Sequence, residues 1–181
     1  MIYKFRVLID YEKDVFREIE IRSDQKFMQL NDAILSAFSF SGEQMASFYM
    51  SNEDWDKGEE IMQFDMGDDE TSHSMDNTLL SEMVKDVNQK LLYIYDFLRL
   101  WIFYLELVSI TEEEENINYP ILAGQFGIAP KEDDKSLDFE MPQDHIGEDS
   151  ELDPELRDLL GENEDDDESG DIDPNDLASF Y

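Results

Sequence analysis

The stretch Leu91-Leu92-Tyr93-Ile94-Tyr95-Asp96-Phe97-Leu98-Arg99-Leu100-Trp101-Ile102-Phe103-Tyr104-Leu105-Glu106-Leu107-Val108-Ser109-Ile110 decides what kind of protein this is. It is 20 residues long and largely apolar, about the length that crosses a bilayer as a helix. Asp96, Arg99 and Glu106 lie inside it, and each mid-span charge costs roughly 2.5 to 3.5 kcal/mol on insertion scales. The run is also rich in Tyr, Phe, Trp and Ile, which suit a pleated surface. Two buried strands with a break near Leu98-Arg99-Leu100 are therefore expected in place of a spanning helix. The break contains no Gly, Asn or Pro, so a bulge or a wide bend must serve as the turn.

Outward from this run, a period of two marks the start of the chain. Tyr3, Phe5, Val7 and Ile9 alternate with Lys4, Arg6 and Asp10, and Val15, Ile19 and Ile21 alternate with Glu18, Glu20 and Arg22. The short polar link between them predicts an antiparallel hairpin. Ser23-Asp24 then offers a helix N-cap, and Phe27, Leu30, Ile34, Leu35 and Phe38 at three- and four-residue spacing predict an amphipathic helix ending near Ser41-Gly42. Residues 47–52 and 60–64 are short strand candidates, and 65–77 is polar and turn-rich. Thr78 is placed to cap a second amphipathic helix that buries Leu79, Leu80, Met83, Val84 and Val87. Residues 119–130 read as an irregular segment laying its apolar side chains on the domain. The fold class is α+β: a mainly antiparallel sheet with two helices.

Composition changes beyond Lys131. The whole chain carries 13 Lys+Arg against 47 Asp+Glu, a formal charge of −34, and the segment from Lys131 onward holds 21 acids and 3 bases. Residues 162–173 contain eight acids in twelve positions, too little apolar surface to offset ordering entropy. The domain is expected over 1–150, followed by an acidic, largely disordered tail over 151–181 with a short helix at 154–160. The tail repeats an Asp-Pro start followed by apolar residues, at Asp153-Pro154 and Asp173-Pro174. This makes Leu156, Leu159, Leu177, Phe180 and Tyr181 candidate partner-binding positions, since short acidic-apolar segments fold into basic-rimmed grooves.

The charge disfavours direct binding to DNA, RNA or an anionic membrane, because such affinity rests on Lys and Arg displacing counterions. It favours a basic protein partner. With no cysteine, disulfides, thiolate metal sites and cysteine nucleophiles are excluded. The opening residues lack a secretory pattern, which predicts a cytoplasmic location. His73 and His145 sit in acidic segments without an EF-hand spacing, and no phosphate loop or Ser-His-Asp order occurs, so no metal, cofactor or catalytic group is assigned. Asp96, inside the aromatic run, is expected to pair with Arg99 and fix the bend.

Four stretches together resemble the plasmid pRiA4b ORF-3-like family of small α+β domains found on bacterial plasmids and chromosomes. They are Phe27 to Phe38 against a helix of the type LxxLHxxIxxAFGW, and Ala46-Ser47-Phe48 against a strand entry. Tyr93, Tyr95, Asp96, Phe97 and Trp101 match YxYDFGDxW. Pro120, Leu122-Ala123-Gly124, Gly127, Pro130, Glu132 and Asp133 match PxxLAGxGxxPPED. The resemblance spans about residues 1–150 and implies the fold; its motif positions Tyr95, Asp96, Phe97, Trp101, Pro120 and Gly124 carry no implied role. Leu98-Arg99 replaces the family's Gly-Asp at the turn, and its frequent His and Cys positions are not matched, so no metal or catalytic role carries over. The leading expectation is an acidic, non-enzymatic interaction module that binds a protein through its surface or tail. The alternatives are a nucleic-acid mimic occupying the phosphate site of a basic protein, and an enzyme with a cleft near Asp96 and Trp101. The oligomeric state is left open by the sequence.

Overall fold

The opening alternation folds as expected: β1 (Ile2–Ile9) and β2 (Phe16–Arg22) form an antiparallel hairpin with Phe5 opposite Ile19 and Val7 opposite Arg17. The structure is a computed structural model that describes residues 1–64 and 73–135. The tail helix expected at 154–160, the disorder expected beyond 150, and Leu156, Leu159, Leu177, Phe180 and Tyr181 lie outside the described residues.

Helix α1 (Phe27–Phe38) follows the hairpin and buries Phe27, Leu30, Ile34, Leu35 and Phe38 in the core it shares with the sheet. Its N-cap is Lys26, not Ser23 or Asp24. The Lys26 N–H donates to the Gln29 side chain at 2.7 Å, while Phe27 and Met28 donate to the carbonyls of Thr78 and Met75, so the first turn is satisfied by tertiary partners. It ends earlier than the Ser41-Gly42 expectation, at Ser39, which takes a left-handed φ of 61°.

Next come β3 (Ala46–Ser51), β4 (Glu60–Met62) and β5 (His73–Ser74), the last paired parallel to β4 within a segment read as turn-rich. The second helix, α2 (Leu80–Met83), is a single turn. Thr78 does not cap it: Leu79 is at the N-cap, and its N–H donates to the Glu82 carboxylate. Gln89 stops the helix early, its side-chain oxygen accepting from the Lys85 and Asp86 N–H groups and its nitrogen donating to the Met83 carbonyl. Val87 is consequently exposed.

The aromatic run splits into β6 (Lys90–Tyr95) and β7 (Trp101–Thr111), antiparallel to each other. Residues 121–126, expected to be irregular, form β8 (Ile121–Phe126) on the outer side of β2. It gives no periodic signal because Leu122, Ala123, Gln125 and Phe126 are all exposed and a register shift interrupts it opposite Glu18 and Ile19. Among the described residues eight strands form one sheet ordered β5-β4-β3-β6-β7-β1-β2-β8. One face and α1 enclose the core, with Phe38 against Phe103 and Phe27 against Phe48 in edge-to-face contact. Among the described residues no helix is long and apolar enough to cross a membrane.

Candidate functional site

Two of the family-like stretches meet at the end of the sheet where β6 passes into β7. The link is Asp96 to Leu100, and its backbone turns without Gly, Asn or Pro because the Asp96 side chain does their work. Asp96 takes φ 56°, a region that Asp tolerates better than most residues. Its Oδ1 accepts the N–H groups of Leu98 and Arg99 at 3.0 and 3.2 Å, and its Oδ2 accepts Arg99 Nη1 at 3.1 Å. Only 2% of Asp96 is exposed. Burial works to raise its pKa, but the Arg99 guanidinium and the two backbone donors outweigh it and hold the carboxyl below its ordinary value.

Beside this turn the chain returns as a single 3₁₀ turn, Glu132–Asp134. The Glu132 carboxylate accepts the Tyr95 hydroxyl at 2.8 Å, the Ser41 hydroxyl at 3.1 Å and the Ser41 N–H at 2.7 Å. Its backbone carbonyl accepts Trp101 Nε1 at 3.1 Å. Burial pushes the Glu132 pKa up, yet the Ser41 N–H and the Tyr95 and Ser41 hydroxyls bring it below the ordinary glutamate value. Tyr95 shifts upward, first through burial and then because it donates to that carboxylate. Lys135 Nζ donates to the Leu100 carbonyl at 2.6 Å and lies over the Trp101 ring, while Arg99 Nη2 sits 3.5 Å from Asp133.

Tyr95, Asp96 and Trp101 are thus brought together with Glu132 and Ser41, two residues that the sequence reading did not single out as site residues. The only sequence signal for Glu132 is its place in the family-like Pro-Glu-Asp wording. Each of the two carboxylates accepts three hydrogen bonds from donors within the chain. Arg99 Nε is buried without an acceptor among the described residues. Around the cluster Phe97, Leu98, Leu100 and neighbouring Met45 are exposed, Leu98 to 67%, beside the charged Arg99 and Asp133.

Pro120 and Gly124 lie elsewhere, before and within β8. Pro120 helps line an open cleft of about 490 Å³ between α1 and β8, together with Ala33, Ser36, Ala37 and Leu122. A second cleft, of about 610 Å³, lies near the start of α1 between Arg22, Gln25, Gln29 and Tyr119. Neither cleft is lined by Asp96 or Trp101. Arg17, also unpredicted, is buried and fastens the end of β8: its Nε donates to the Ala37 carbonyl at 3.0 Å and its Nη1 to the Phe16 and Phe126 carbonyls at 2.8 and 2.9 Å.

The family model described as plasmid pRiA4b ORF-3-like protein matches residues 1–177. The chain belongs to that family. The match runs well past residue 150, so the acidic segment beyond Lys131 falls within the family's span for most of its length. The crystal structure of the protein of unknown function MM3350 from Methanosarcina mazei Go1 superposes with a TM-score of 0.64 at 23% identity, covering 75% of each chain. That likeness establishes the family fold alone. No curated protein matches the chain.

Proposed function

We propose that this family member is a non-enzymatic, cytoplasmic protein-interaction module, and that its docking element is the apolar tip of the β6–β7 turn set in a strongly acidic field. The observation that carries this reading is the exposure of Phe97, Leu98 and Leu100 on a turn whose backbone is pinned by the buried Asp96 carboxylate. A pinned turn presents side chains with little ordering entropy left to lose, which favours protein association. The formal charge of −34 selects a partner whose apolar pocket is rimmed by Lys and Arg, steering its approach. Leu156, Leu159, Leu177, Phe180 and Tyr181, in the acidic segment, are proposed as a second contact for the same partner.

The test is capture of basic proteins from a lysate by the immobilised full chain at rising salt. Capture should fall steeply with salt, and a Phe97→Ser, Leu98→Asp double variant with unchanged circular dichroism should lose it. Undiminished capture by that variant would remove the tip from the proposal. The charge excess also favours a second reading, nucleic-acid mimicry, and this predicts a different result: the captured proteins are nucleic-acid binders, free DNA releases them, and the double variant holds them as well as the wild type.

A further inference from the structure

The sheet face turned away from α1 carries an ordered pattern that the tip does not use. Strand register aligns Tyr104 on β7, Leu8 on β1, Phe16 on β2 and Phe126 on β8 in one row across the sheet. Phe16 and Phe126 stack at 5.5 Å, and Phe126 is 57% exposed. The next row aligns Glu106, Arg6, Glu18 and Gly124, and beyond it Lys4 faces Glu20. Arg6 and Glu18 meet at 2.7 Å and Lys4 and Glu20 at 2.8 Å, all four on the solvent side. In a chain of charge −34 the two central strands of this face are locally neutral, with cations on β1 and anions on β2.

We infer that this face is the interface of a two-fold homodimer. A two-fold axis lying in the face along the seam between β1 and β2 exchanges the strands on either side of it. It lays β1 of one copy over β2 of the other, and β7 over β8. Arg6 and Lys4 then meet Glu18 and Glu20 of the second copy, Leu8 meets Phe16, and Tyr104 meets Phe126, while Glu106 comes over Gly124, whose outer side the Glu18 side chain already flanks. Face-to-face sheets keep their strands within about 30° of each other, so this register survives near the seam, where the charges sit. Self-complementarity of this kind is what an isologous interface requires. A basic foreign partner has no reason to choose a neutral patch over the acidic surface around it, whereas a second acidic copy is least repelled here.

The inference is independent of the β6–β7 tip and is tested without it. Sedimentation velocity of the full chain, from micromolar to near-millimolar, should show a monomer–dimer equilibrium that strengthens with salt as overall repulsion is screened. Leu8→Glu should abolish it. Arg6→Glu and Glu18→Arg should each weaken it about tenfold, because each places like charges across the seam. Mixed together, these two variants should form a heterodimer in which every facing charge pair is restored. A role confined to one chain does not produce that rescue. A chain that stays monomeric at near-millimolar concentration in high salt would overturn the inference, as would a mixture of the two variants that associates no better than either alone. Concentration-independent protection of the Leu8 and Phe126 side chains in hydroxyl-radical footprinting would overturn it too, by giving the face to another part of the same chain.

Discussion

Two acid–base arrangements occupy one sheet and do opposite things. At the β6–β7 turn, Asp96 is withdrawn from water, and its bonds to Arg99 and to two backbone N–H groups shape the chain. On the face of the β1–β2 hairpin, Arg6–Glu18 and Lys4–Glu20 stay wet and shape nothing in the fold. The difference lies in what else each carboxylate holds. Asp96 accepts two backbone N–H groups in addition to its guanidinium, so removing it frees a turn and takes away the buried partner of Arg99 together; Glu18 and Glu20 accept from side chains that water can replace.

The contrast can be broken by substitution, with effects of graded size. Asp96→Ala should have the largest, roughly 2–3 kcal/mol in urea denaturation, because it unties the turn and leaves Arg99 only the exposed Asp133 as a partner. Asp96→Asn should lose less, since Asn keeps the acceptor and the tolerance for positive φ. Gly127→Ala should cost about 2 kcal/mol by the same assay. Gly127 has φ 74°, and an added Cβ there would stand 2.5 Å from the Asp14 carbonyl oxygen. Glu132→Gln should follow at about 1–2 kcal/mol, through weaker bonds from Ser41 and Tyr95.

A pH series sharpens the comparison. Asp96 and Glu132 are both held below their ordinary pKa values in the folded chain, so the unfolded chain takes up protons first as the medium is acidified. Their contribution is complete above the unfolded values near 4 and is lost as pH falls through the lower folded ones. The wild type should therefore lose stability on acidification below about pH 4, and an Asp96→Asn, Glu132→Gln variant should show a shallower slope there. Lys4→Ala comes last, under about 1 kcal/mol, and a larger loss would mean that the open face contributes to the fold after all.

What was legible in the sequence follows the same division. Alternation exposed β1 and β2, because each has one face in the core and one outside it, whereas β6, buried on both faces, and β7 were read from one long apolar, aromatic-rich run with charges inside it. Strand β8 gave no such signal, since side chains on both its faces meet water. The Asp96–Arg99 pair was readable from two residues three apart, within one turn. Glu132 was not, because it reaches Tyr95 across 37 positions of chain, and no local pattern reports a contact of that span. The helix starts were misplaced for a related reason: Lys26 and Leu79 form an isolated bridge to each other, so each helix is capped partly by the other's backbone.

The strand order also dictates a sequence of events at the ribosome. β1 is an interior strand, yet its second neighbour, β7, is translated about a hundred residues later. Until Thr111 clears the exit tunnel, the nascent hairpin carries a bare hydrogen-bonding margin along Ile2–Ile9, the place where an unfinished chain is most open to mispairing or to a chaperone.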